Sequence, residues 1–192
     1  MKVLVETSAR HVHLSHEALE SLFGKNYELN LKRKLSQPNQ FLSEEKVDLF
    51  VGSLFIKNVS VLGPLRNECQ AEISLTDARK LKANIKIRES GRLEDTTGFV
   101  LKGPNGEFSQ NYGLIAAKRH IHMSPEDLKE FQIKNSDNIC RLKIKNCERS
   151  LIFGDVVVRI SEKFKLAAHI DTDEANAAGL DGPVCFGEIL NY

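Results

Sequence analysis

Eight residues near the start of this 192-residue chain return near its middle. Ser8-Ala9-Arg10-His11-Val12-His13-Leu14-Ser15 is echoed by Ala117-Lys118-Arg119-His120-Ile121-His122-Met123-Ser124, so the pattern Arg-His-aliphatic-His-apolar-Ser occurs twice. Each copy runs into a short helical pattern. A second echo lies downstream, where Glu72-Ile73-Ser74-Leu75-Thr76-Asp77-Ala78 resembles His169-Ile170-Asp171-Thr172-Asp173-Glu174-Ala175. Such a repeat predicts two related halves of about 90 residues. Neither is large enough to bury a generous core alone, so a shared interface is expected.

Within each half the punctuation is that of short strands. Lys2–Thr7, Val47–Val51, Leu54–Leu62, Gln70–Leu75, Asn84–Arg88, Gly98–Lys102, Tyr112–Ala117, Ile139–Lys145, Ser150–Ile160, Ala167–Asp171 and Val184–Leu190 are all β-rich runs. Gly103-Pro104-Asn105-Gly106 and Asp181-Gly182-Pro183 mark turns. Helices are few: Ser15 caps His16–Phe23 ahead of Gly24, Ser124-Pro125 opens Glu126–Phe131, and Thr76–Lys82 and Thr172–Ala178 are shorter still. The fold class expected is mainly β, two small barrels with capping helices. Residues 30–46 lack periodicity and read as a long ordered loop.

Composition narrows the function. Lys+Arg minus Asp+Glu is 27 − 26 = +1, and aromatics are 7% without Trp, which excludes a basic field or a stacking platform for nucleic acid. No apolar window is long enough to span a membrane by helix. Glu6 interrupts the N-terminus too soon for a secretory signal, and Cys69, Cys140, Cys147 and Cys185 form no Cys-x-x-Cys pair. Buried free thiols in a reducing cytoplasm are the expectation, with a nucleophilic Cys69 as the minor alternative.

Five of the six histidines fall inside the repeated segments. On a strand, residues i and i+2 share a face, so His-x-His offers two imidazoles to one metal ion, while Val12 and Ile121 point the other way into apolar packing. A single His-x-His is weak evidence; two at matching positions, with Glu72 aligned to His169, make a stronger case. The reading is one metal position per half: His11, His13 and Glu72 in the first, His120, His122 and His169 in the second. Three protein ligands with an open position is the pattern of catalytic zinc, although iron, cobalt or nickel also suit imidazole and carboxylate. His16 is expected to face solvent. Arg66 follows a Gly63-Pro64 corner that returns its side chain toward Glu72, where a guanidinium fork beside a metal suits phosphate; a surface arginine paired with a nearby glutamate is the alternative.

Ser-Ala-Arg-His-Val-His-Leu-Ser, Val61-Leu62-Gly63-Pro64-Leu65-Arg66, Ser90-Gly91, Arg119-His120-Ile121-His122-Met123 and His169-Ile170-Asp171-Thr172-Asp173-Glu174-Ala175-Asn176-Ala177-Ala178 together resemble the PduL-type phosphate acyltransferase (phosphotransacylase) family across essentially the whole chain. The resemblance implies acyl transfer between coenzyme A and phosphate, two interlocked β-barrels, and a dinuclear zinc site between them. It implies that the N-terminal strand joins the C-terminal half, giving one barrel from 1–9 plus 118–192 and another from 10–117. It also implies a homodimer.

Carried over position by position, the six metal ligands are those the repeat suggests, and Arg66 matches the phosphate-binding arginine. Ser90 and Gln40 match polar positions lining the site, and Ser8, Arg33 and Asn176 fall at expected CoA contacts. Two departures stand out: Asn39 where the loop motif often has glycine, and Arg92 after Ser90-Gly91 where an acidic residue is common. No N-terminal microcompartment-targeting extension is visible. The reaction expected is direct transfer of a short acyl group, acetyl or propionyl, with two zinc ions or other divalent transition metals per chain. The competing readings are a binuclear zinc hydrolase using water, a non-catalytic metal- or ligand-binding β-barrel module, and an acyl-Cys69 route.

Overall fold

In a computed structural model the structure describes residues 2–133, 138–145, 148–180 and 182–190; Cys147 and Asp181 lie outside them. In chain order the elements are β1 (Lys2–Ser8), β2 (His11–His13), α1 (His16–Phe23), β3 (Leu31–Lys34), β4 (Phe41–Val51), β5 (Leu54–Gly63), β6 (Gln70–Glu72) and α2 (Leu75–Lys80). There follow β7 (Lys86–Arg88), β8 (Thr97–Lys102), β9 (Glu107–Ala117), β10 (His120–Met123), α3 (Pro125–Glu130), β11 (Ile139–Ile144), β12 (Leu151–Ile160), β13 (Ala167–Asp171), α4 (Thr172–Ala177) and β14 (Val184–Leu190).

The fold is mainly β, with two barrels of six strands. One closes in the order β1-β13-β10-β12-β11-β14. The other runs β4-β5-β2-β6-β9 and closes through β8, which pairs with both β4 and β9; β3 and β7 extend this sheet at β4 and β9. The two barrels repeat one pairing scheme. Each His-x-His strand is parallel to one neighbour (β2 to β5, β10 to β12) and antiparallel to the other (β2 to β6, β10 to β13). The strand just before each motif belongs to the barrel of the other copy: β1 pairs with β13 and β14, and β9 pairs with β6 and β8. The repeat is therefore built with reciprocal exchange of its first strand.

Two compact units result, one of Met1–Ala9, Ser36–Pro38 and Lys118–Tyr192, the other of Arg10–Leu35 and Asn39–Ala117. Each has its own core. Leu14, Leu19, Leu22, Leu49, Leu101 and Leu114 are buried in the second unit, and Ile121, Met123, Leu142, Ile144 and Ile170 in the first. Full burial of a side chain of this size contributes about 1.5–3 kcal/mol. Val12 and Ile121, between the paired histidines, are wholly buried in these cores, which fixes the opposite face of each short strand for His11/His13 and His120/His122.

The helices begin where the sequence supplies caps. Ser15 and Ser124 accept from Ala18 N and Asp127 N, and Ser74 and Asp171 cap α2 and α4 in the same way. The stretch 30–46 is not a loop. Leu31–Lys34 pairs antiparallel with Phe41–Ser43, with a register shift between Leu31 and Arg33, and a turn joins the two strands. The pattern was hidden for a physical reason: all four β3 residues are exposed, and β4 buries Ser43 and Glu45 at inward positions where apolar residues would betray a strand. Both polar groups are satisfied, Ser43 Oγ donating to Val61 O (2.9 Å) and Glu45 accepting from Asn30 Nδ2 (2.7 Å). Asn39 lies in the turn at φ 63°, a left-handed conformation that Asn tolerates nearly as well as Gly. Among the described residues no helix is long and apolar enough to cross a membrane.

Candidate functional site

The β2–β6 register sets His11 opposite Glu72 and His13 opposite Gln70, so three short-strand positions converge. The donor atoms of His11, His13 and Glu72 all lie within 4.8 Å of one another, and all three residues are buried. In the other unit β10 and β13 do the same with His120 opposite His169, and the donors of His120, His122 and His169 again lie within 4.8 Å. Two nitrogens on one tetrahedral zinc stand about 3.3 Å apart, so clusters of this width need only small side-chain adjustments to close on an ion.

Electrostatics favour ligand-ready groups. Burial pushes His13 well below the usual imidazole range, helped by neighbouring His11 and Arg66. Burial, with His120 and His169, takes His122 down to about 2. Both imidazoles are thus neutral, with a lone pair available. Burial opposes ionisation of Glu72, but His11, His13 and Arg66 outweigh it and hold the carboxyl well below the ordinary range. His120 Nδ1 lies 2.9 Å from Lys118 O, which fixes the tautomer and leaves Nε2 as its donor atom. His13 Nδ1 and His122 Nδ1, at matching positions of the two repeats, are buried with no hydrogen-bond partner among the described residues. Each cluster therefore contains an imidazole whose polar contacts are incomplete, as expected where a cation and its attendant oxygen ligands belong. The donor sets fit zinc.

The arginines of the repeated motif have a different duty. Arg10 grips Asp77 through Nε and Nη2 (2.6 and 3.3 Å), and Arg119 Nη1 reaches Glu174 at 2.8 Å. Asp77 and Glu174 occupy the same position in the first turns of α2 and α4. Each arginine so ties the His-x-His strand to the helix that follows the third residue of its cluster.

Arg66 lies beside the Glu72 cluster. β5 ends at Gly63, Arg66 N donates to Leu14 O (2.9 Å), and Arg66 Nη1 donates to Ser90 Oγ (3.1 Å). Gln70, which is 1% exposed, joins these groups: Nε2 donates to Ser90 Oγ (2.8 Å) and to Glu72 Oε1, while Oε1 accepts from Gly91 N (2.8 Å). Ser90 Oγ accepts twice, which leaves its own proton to donate. Gln70 thus joins the candidate site without being part of any motif in the sequence. Its signal was position alone, two residues before Glu72 on one strand and hence on the same face.

The remaining candidates are distributed. Gln40 ends the turn before β4, its carbonyl accepting from Leu35 N (3.0 Å). Ser8 closes β1 opposite Asp171, and Asn176 is exposed on α4, both in the first unit; Arg33 is exposed on β3 in the second. His16 faces solvent, 4.0 Å from Glu20. Cys69 and Cys140 are buried and free, and Cys185 is half-buried. Cys69 Sγ accepts from Ser15 N (3.2 Å), and burial raises its thiol pKa, which disfavours the thiolate a nucleophile needs. A cavity of about 360 Å³ lined by Phe23, Tyr27, Asn30, Glu45 and Asn105 among others includes none of the candidate site residues.

Comparison with known proteins follows the same lines. The sequence profile described as phosphate propanoyltransferase matches residues 4–181. The phosphate propanoyltransferase of Thermotoga maritima is 48% identical over 179 residues, 93% of this chain and 85% of the relative. Those of Enterococcus faecalis and Shewanella putrefaciens are 47% and 44% identical, covering 92% and 95% of this chain and 82% and 86% of the relatives.

Proposed function

The chain belongs to the phosphate propanoyltransferase family, and from that premise we propose that it transfers a short acyl group between coenzyme A and phosphate: acyl-CoA + phosphate ⇌ acyl phosphate + CoA. The observation that carries the reading is the Arg66–Ser90–Gln70 network beside the buried His11–His13–Glu72 cluster. A guanidinium fork next to two neutral imidazoles is a site for a tetrahedral oxyanion such as phosphate.

Arg66 binds two phosphate oxygens and offsets charge that would repel an approaching thioester. One phosphate oxygen attacks the acyl carbonyl carbon; the C–O bond forms, the C–S bond breaks, and CoA leaves as thiolate. Ser90, its oxygen already accepting from Arg66 and Gln70, donates a hydrogen bond to the developing oxyanion. Holding both reactants in one site supplies much of the acceleration. His11, His13 and Glu72, and His120, His122 and His169, would each hold one zinc ion or another divalent transition metal, two per chain, supplying Lewis-acid polarisation of phosphate and carbonyl oxygens when bound. Gln40 adds a polar group to the site lining, and Ser8, Arg33 and Asn176 contact CoA. We place the chain in the cytoplasm as a homodimer; light scattering of the purified chain tests the dimer.

The test of the reading is release of CoA thiol from propanoyl-CoA with and without phosphate. Strictly phosphate-dependent release, with acyl phosphate formed in equal amount, is expected. Release at the same rate without phosphate would replace the transferase reading by hydrolysis.

A further inference from the structure

The two clusters differ in how a carboxylate reaches them. In the second unit it is a member of the cluster, Glu72. In the first unit the equivalent position is His169, and a carboxylate arrives from the neighbouring strand instead. The parallel β1–β13 register sets Glu6 directly opposite His169, and Glu6 Oε2 lies 3.8 Å from His169 Nδ1. The corresponding register of β6 and β9 sets Glu72 opposite Ile115, so Glu6 has an apolar counterpart in the other half. The carboxylate has moved by one strand, and each cluster keeps one.

Glu6 is also held from its far side. Ser36 Oγ, in the turn between β3 and β4, donates to Glu6 Oε2. Ser36 in turn is fixed by its neighbour Gln37, which is 3% exposed and clamps the backbone of Lys165: Nε2 donates to Lys165 O (2.7 Å) and Oε1 accepts from Lys165 N (3.3 Å). Lys165 lies two residues before β13. Lys165, Gln37, Ser36, Glu6 and His169 thus form a ring of contacts that begins and ends on the segment carrying His169, all within the first unit.

We propose that Glu6, held by Ser36, is the positioning residue of His169, orienting its imidazole and strengthening cation binding at the His120–His122–His169 cluster. A carboxylate at the outer nitrogen of a metal-binding imidazole fixes the ring and makes the inner nitrogen a better donor, and loss of such a partner typically costs 10–100-fold in metal affinity. The inference rests on the reading of this cluster as a cation site.

The experiment titrates the metal-free full chain with Zn²⁺ against a competing chelator. Wild type binds two ions. Glu6→Gln, which keeps the shape and the Ser36 hydrogen bond but removes the charge, is expected to weaken one site about tenfold and leave the other unchanged. The weakened site is the one that His169→Ala abolishes, and Ser36→Ala shifts the same site in the same direction. The melting temperature of the metal-free Glu6→Gln chain matches metal-free wild type. Unchanged affinities in Glu6→Gln, or equal loss at both sites, would overturn the role of Glu6 while leaving the two-site reading intact. A wild-type chain that binds no zinc would overturn both.

Discussion

Replacing Gln70 by leucine separates what holds the site together from what holds the fold together. The amide makes three buried or half-buried hydrogen bonds, to Glu72, to Ser90 and from Gly91. The bond to the carboxylate is the strongest, worth about 1.5–3 kcal/mol, and the neutral ones about 1 kcal/mol each. These do not simply add. Gly91 is exposed and Ser90 half-buried, so both regain water, and a leucine in a 1%-exposed position recovers part of the loss through burial. The net destabilisation expected is about 1–2 kcal/mol, a fall in melting temperature of about 2–8 °C. The effect on turnover is larger in kind. Full loss of a donor to a developing oxyanion costs about 10²–10³ in kcat; Gln70 aligns that donor rather than supplying it, so a loss of about tenfold in kcat is expected. The assay is steady-state thiol release with propanoyl-CoA at varied phosphate, at a temperature well below the melting of the variant. The predicted signature is a lowered kcat with the KM for phosphate held within about twofold. If Gln70→Leu keeps wild-type kcat while Ser90→Ala loses it, Ser90 is positioned without Gln70 and the network argument fails.

Arg66→Lys keeps the charge and loses the planar fork, so the KM for phosphate should rise by about tenfold in the same assay; an unchanged KM would remove phosphate from Arg66. Cys69→Ala should retain kcat within about twofold, because the thiol is buried and its pKa is raised by that burial; loss of activity in a folded variant would revive an acyl-cysteine route. The Glu45 carboxyl is held below its usual range: burial opposes ionisation, and bonds from Asn30 outweigh it. A depressed native pKa stabilises above the unfolded value and loses that stability as pH falls through the native one. Urea midpoints should therefore drop on acidification below about pH 4.3, and Glu45→Gln should flatten that part of the profile; an identical profile would contradict it.

Much of this architecture could be read from residues because the repeat and the packing use the same positions. His11, His13, His120 and His122 alternate with Val12 and Ile121, and a period of two places all four imidazoles on the faces that the buried aliphatics leave. Ser15 and Ser124 announce helices by capping chemistry that is local and survives in any context. The hairpin of β3 and β4 was not legible, since its exposed Leu31–Lys34 and inward Ser43 and Glu45 reverse the usual correlation of burial with apolarity. Glu6 is a different case, because it acts on a partner on an adjacent strand and only register sets it opposite His169; Gln70 shares a face with Glu72 by its spacing, while its bond to Ser90 joins segments 20 residues apart. The repeated arginines show the converse. Arg10 and Arg119 look like site residues by their place in the motif, yet each is tied to a helix-start carboxylate, Asp77 or Glu174.

Phosphate-dependent acyl transfer is proposed to require both the His11–His13–Glu72 and the His120–His122–His169 clusters. It is tested most directly by removing metal with a chelator and measuring thiol release from propanoyl-CoA, in the presence of phosphate, as zinc is returned in measured amounts. No release is expected from the metal-free chain, with full recovery at two equivalents of zinc per chain. Full activity in a chain carrying less than one metal ion would contradict it.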